Sequence, residues 1–102
     1  MLEVVVSHQG RRGRTIGLKG ELDIATAPDL EELLTKLRKD NLDAVKVDLR
    51  GLDFLDSTGV RVLVEAWKAC FKEGIDFTLA PGPRQVQRLF EITGLLDQLP
   101  WS

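Results

Sequence analysis

Asp53, Asp56, Ser57 and Thr58 are the residues best placed to do chemistry, within the run Asp53-Phe54-Leu55-Asp56-Ser57-Thr58-Gly59-Val60. The carboxylates can hold a cation or orient a neighbouring hydroxyl. The hydroxyls can accept a phosphate or cap a helix. Asp56-Ser57-Thr58-Gly59 resembles the aspartic-protease D-[ST]-G signature superficially. Its spacing is one residue too long, a helical pattern follows it, and no second copy occurs. There is no G-x-S-x-G elbow, phosphate-binding P-loop or dinucleotide fingerprint. His8, the only histidine, falls at the far end of the first predicted strand, which argues against a Ser-His-Asp triad. Cys70 lies on an apolar helical face and reads as packing rather than as a nucleophile. The expectation is a non-enzyme with no metal and no cofactor.

The elements around this run are legible from periodicity. Leu2–Ser7 is rich in β-branched residues, Gln9–Gly13 is turn-like, and Thr15–Gly20 alternates, which predicts an antiparallel hairpin. Arg11, Arg12 and Arg14 fall in that turn and read as a solvated charge cluster. Thr26-Ala27-Pro28-Asp29 carries the signals of a helix start, with Thr26 as cap and Asp29 reaching back to a free amide. Leu30, Leu33, Leu34 and Leu37 then form one apolar face. Ala44–Leu49 alternates as a strand, and a second helix begins near Ser57. Val60, Leu63, Val64, Trp67, Cys70 and Phe71 are expected on its inner side, with Trp67 largely buried. Asp76–Ala80 is the last strand. Pro81-Gly82-Pro83 leads into a third helix with Val86, Leu89 and Phe90 inside.

The order is β-β-α-β-α-β-α. It predicts an α/β fold with a small mixed, mostly parallel sheet in sequential strand order and helices mainly on one face. The 102 residues, 43% hydrophobic, suit a single domain over 1–102. One cysteine excludes an internal disulfide. A net charge of −2 with mixed signs argues against a nucleic-acid partner. No apolar run has the length of a membrane span, so direct membrane insertion is not expected and the default location is cytoplasmic. In this topology the strand-to-helix turns gather at one sheet edge. There Glu21, Asp23, Asp53 and Asp56 make an acidic rim around Ile24, Phe54 and Leu55. Such a rim suits a protein partner better than a phosphate ligand. Gly59 would let a partner approach the backbone. At the start of the second helix either Asp56 or Ser57 simply caps it, or the Ser57 hydroxyl is presented for modification, with Thr58 sharing the ambiguity, and elementary physics leaves these readings open.

Three segments carry a family likeness: Gly20–Pro28, Val47–Gly59 and Val86–Leu95. With them the chain resembles the STAS domain, and its length resembles the bacterial anti-sigma factor antagonists more than a transporter tail. The resemblance implies a switch. An anti-sigma factor with serine kinase activity binds the antagonist and phosphorylates the serine after the strand-end aspartate, which is Ser57 here. The unphosphorylated form holds the anti-sigma factor and frees the sigma factor for transcription. A serine phosphatase restores the modified form. The expected contact residues are Asp23, Ile24, Phe54, Leu55, Asp56, Ser57, Thr58, Gly59 and Arg61. Arg61 departs from the small residue many relatives have there. The alternative is a non-phosphorylated STAS scaffold in a stress-sensing or membrane transport complex.

Overall fold

The computed structural model describes all residues, 1–102. Strands β1 (Leu2–His8) and β2 (Gly13–Leu22) form the expected antiparallel hairpin. Helix α1 (Ala27–Leu37) ends in a single 3-10 turn, Arg38–Asp40, stopped by Asn41 at φ 55°. Then follow β3 (Ala44–Leu55), α2 (Ser57–Lys72), β4 (Asp76–Ala80) and α3 (Arg84–Ile92). The sheet order is β1-β2-β3-β4, with β2, β3 and β4 mutually parallel. Ile16, Val45, Val47, Leu49, Phe77 and Leu79 are buried on one face under the helices, while Lys46, Asp48 and Thr78 stay half-exposed on the other. Leu30, Leu34 and Leu37 of α1 and Val86 and Phe90 of α3 join that core.

Several details depart from the sequence expectation. β3 does not stop at Leu49: it continues to Leu55, so the connection between the third strand and the second helix shrinks to the single residue Asp56. The extension pairs with β2 across two register shifts, between Gly17 and Lys19 and between Gly20 and Glu21. Gly51 permits the close approach, because a Cβ there would lie 2.7 Å from the Leu18 carbonyl oxygen. The buried side of α2 is Gly59, Val60, Val62, Leu63, Ala66 and Cys70. Trp67 packs part-buried against the core, as expected of the inner side, but Phe71 is 81% exposed, against expectation. The helix is turned so that its small residues meet α1, where Leu34 faces Val62, Ala66 and Ala69 across a shallow groove.

The basic turn, read as solvated, is exposed at Arg11 and Arg12 but is also tied down by local bonds. Arg12 Nη2 lies 3.0 Å from Asp43 Oδ1 and its Nε donates to the Asn41 carbonyl, while Arg14 donates to the carbonyls of Arg11 and Gly13. At the opposite edge the tail closes over β4. Trp101 bridges Leu79 in parallel, donates its indole N–H to Leu96, and packs edge-to-face on Phe90 with centroids 5.0 Å apart.

Candidate functional site

The site is built around Asp56, the one residue between β3 and α2. Its extended backbone (φ −113°, ψ −178°) turns the chain from strand to helix. Its Oδ1 accepts the Gly59 amide at 3.0 Å, which satisfies a helix-start donor with no partner inside the helix. Its Oδ2 accepts the Ile24 amide at 3.2 Å, and its own N–H donates to the Leu22 carbonyl. One carboxylate therefore caps α2 and pins the β2–α1 loop beside it.

That loop is ordered from within. Asp23 Oδ1 accepts the amides of Ala25 and Thr26, at 3.0 and 3.1 Å. Thr26 does not cap α1 through its side chain. Its hydroxyl instead accepts from the Asp23 amide and donates to the Glu21 carbonyl, each at 2.9 Å. Asp29 makes no reaching-back bond. Partial loss of solvent opposes ionisation of Asp23, but the bonds from Thr26 and Ala25 outweigh it and hold its carboxyl below the ordinary range.

The expected site residues divide into three groups. Asp23, Ile24, Phe54, Asp56, Ser57 and Thr58 gather at this end of the sheet, with Ile24 74% and Phe54 50% exposed. Phe54 pairs in register with Glu21. Leu55 and Gly59 do not belong to the surface. Leu55 is buried, and Gly59 lies on the inner side of α2, where an added Cβ would meet Leu55 Cδ1 at 2.6 Å and Leu22 Cγ at 2.8 Å. The glycine serves helix–sheet packing rather than the approach of a partner. Arg61 is exposed but engaged, 3.0 Å from Glu65 and 4.0 Å from Glu31 on α1.

Ser57 is the first residue of α2 and is exposed, and its hydroxyl makes no hydrogen bond within the chain. The cap is Asp56, so the reading of Ser57 as a cap is removed. The Thr58 hydroxyl is also unbonded but less exposed. Nowhere, the acidic rim included, do three or more His, Cys, Asp or Glu side chains converge as cation ligands would. The sequence reasoning missed the second bond of Asp56 and the role of Thr26. The Asp23-x-x-Thr26 spacing, typical of side-chain-stabilised turns, was the available signal for the latter.

A sequential, mostly parallel sheet with its helices on one face, and a serine-headed helix at the strand ends, defines an α/β domain of the STAS type. The chain belongs to the STAS domain family, whose model matches residues 5–101. It is 40% identical over 78 residues to the anti-sigma-B factor antagonist of Staphylococcus aureus, spanning 76% of this chain and 72% of that protein. The protein of that name from Staphylococcus epidermidis is 37% identical over the same shares. Among solved structures, an anti-sigma factor antagonist from Mycobacterium paratuberculosis matches with a TM-score of 0.87 at 25% identity, covering 99% of this chain and 85% of the other. The unphosphorylated antagonist SpoIIAA has the same fold, with a TM-score of 0.83 at 18% identity over 98% of this chain and 88% of that one. No helix is long and apolar enough to cross a membrane.

Proposed function

We propose that this chain is an anti-sigma factor antagonist that binds an anti-sigma factor with serine kinase activity and is switched off by phosphorylation at Ser57. The observation that carries the reading is the Ser57 hydroxyl, exposed and unbonded one residue past the Asp56 cap. The names of the staphylococcal relatives support the partner class. The docking surface is Asp23, Ile24, Phe54, Asp56, Ser57 and Thr58, with Arg61 at its margin. Ile24 and Phe54 supply apolar area and the carboxylates supply charge. Through such a surface the chain acts in the cytoplasm on sigma-factor-dependent transcription.

A phosphate on Ser57 adds roughly −1.5 to −2 charges at neutral pH. The positive end of α2 tolerates that charge within the domain. A docked partner meets it as repulsion and bulk beside Asp23, Asp53 and Asp56. Release then needs no refolding of the antagonist. ATP and magnesium belong to the kinase, and a serine phosphatase resets the switch.

The test is a titration of wild type, Ser57→Ala and Ser57→Asp against the serine-kinase anti-sigma factors of the same genome, with phosphosite mapping after addition of ATP and magnesium. Wild type and Ser57→Ala should bind equally, and only wild type should gain phosphate, at residue 57. Ser57→Asp should bind about tenfold more weakly or worse, a loss near 1.4 kcal/mol. Equal binding by all three forms with no phosphate on wild type would overturn the switch and leave the scaffold reading.

A further inference from the structure

We propose that β1 is a self-association edge, through which two copies of this chain pair antiparallel and join their sheets into one. The two edges of the sheet are treated differently. β4 is short, and its outer backbone is partly covered: the Leu79 N–H donates to the Pro100 carbonyl and the Leu79 carbonyl accepts the Ser102 N–H. β1 is a seven-residue strand with no neighbour on its outer side. Edge strands are commonly blunted by lysine, proline, a bulge or a covering segment. Leu2–His8 carries none of these, and Glu3 is its only carboxylate.

The backbone phase of the free edge follows from the hairpin. The Glu21 amide donates to the Met1 carbonyl and the Gln9 amide donates to the Gly13 carbonyl, so the odd-numbered residues of β1 bond inward to β2. The N–H and C=O groups of Leu2, Val4, Val6 and His8 therefore point outward. Two copies related by a two-fold axis at Val5 would set Leu2 against His8 and Val4 against Val6 of the second copy. All four outward residues of each strand would then be used. Moving the axis to Val4 or Val6 leaves one outward residue of each strand unpaired. The Val5 register also sets Glu3 against Ser7, so no like charges meet. The side chains agree with the backbone: Val5 is 49% and Val6 38% exposed, on opposite faces of the strand, and both gain cover in the pair. Because the strands run antiparallel, the two Ser57 ends would face opposite ways and both stay open.

Edge pairing alone makes a contact below the ~1,200 Å² of standard stable interfaces. The dimer should therefore be weak and concentration-dependent. Sedimentation equilibrium of the wild-type chain across the micromolar to millimolar range should show the mass rising from 11.4 kDa to twice that value. Val5→Lys places two cations across the axis and should weaken the dimer by roughly tenfold or more. Val6→Pro removes only an outward N–H and should act likewise, with the monomer still folded by circular dichroism. The register has its own readout. Val5→Cys would bring two thiols together at a non-hydrogen-bonded pair, where Cα atoms are about 4.5 Å apart and a disulfide can form. Oxidised glutathione should cross-link Val5→Cys but not Ser7→Cys, whereas the wild-type Cys70 is buried. A chain monomeric at millimolar concentration, or equal cross-linking at positions 5 and 7, overturns the proposal. So does a monomer whose binding to an anti-sigma factor is lost in Val5→Lys, since the edge would then pair with the partner.

Discussion

Removing the Asp56 carboxylate should loosen two elements at once. Asp56→Ala deletes the α2 cap, which costs about 0.5–2 kcal/mol. It also deletes the bond to the Ile24 amide, worth about 0.5–1.5 kcal/mol net. The expected loss is about 1–3.5 kcal/mol, a large share of the ~5–15 kcal/mol by which such a domain is stable. At roughly 4–8 °C per kcal/mol the melting temperature should fall by about 4–28 °C. Asp56→Asn separates the two contributions: its amide oxygen can still accept from Gly59, but its NH2 group cannot accept from Ile24. The Asn variant should therefore fall between wild type and Ala. Urea denaturation gives the free energies, and amide exchange at Ile24 and Gly59 assigns them. In Asp56→Asn, exchange should quicken at Ile24 while Gly59 stays protected. A loss below about 0.5 kcal/mol in Asp56→Ala, or unchanged Ile24 exchange in both variants, would refute the double anchoring.

Gly59→Ala should destabilise by about 1–2 kcal/mol in urea melts, because overpacking against Leu55, Leu22 and the Leu22 carbonyl exceeds the ~1 kcal/mol gain in helix propensity. Trp67→Ala should cost about 2–3 kcal/mol, below the value for a fully buried ring, whereas Phe71→Ser should change stability by less than about 0.5 kcal/mol. Asp48 is held below the ordinary carboxylate value of 3.8, chiefly by the Arg50 side chain bonded to it. A depressed carboxyl stabilises above its unfolded value and loses that contribution as pH falls through its folded value. Denaturant midpoints should thus drop below about pH 4, and less steeply in Asp48→Asn. Ser57→Ala should leave stability within about 0.5 kcal/mol of wild type by thermal melt, because Asp56 carries the cap.

The sheet was legible in the sequence because Val45, Val47 and Leu49 alternate against Lys46 and Asp48, and a half-covered sheet leaves that pattern in its strands. The extension of β3 to Leu55 was not legible. Gly51 and Asp53 read as loop, and only the glycine's fit against Leu18 and Lys19 reveals a bulged pairing. The face of α2 was misjudged at Phe71 for a related reason. Hydropathy marks an apolar arc but not which side a neighbouring helix will cover. Here Val62 and Ala66 are covered because small residues let α1 come near. Ser57 stands out as a candidate from its place at the strand end. Its separation from the capping role depends on whether the carboxylate or the hydroxyl reaches the Gly59 amide, and both residue types suit that position.

The one-residue link between β3 and α2 also bears on time. A hinge with slack relaxes after it is disturbed, and a signal passing through it waits for that relaxation. Asp56 leaves no such slack, since its carboxylate and both of its backbone polar groups are bonded. A group attached at Ser57 would therefore be displayed at once, in a fixed direction. The tempo of the response would follow how often partners collide and how fast they separate, rather than any motion of the domain. Inserting one residue between Leu55 and Asp56 would give this link the slack it lacks, and the direction of the hydroxyl would no longer be fixed by the strand end.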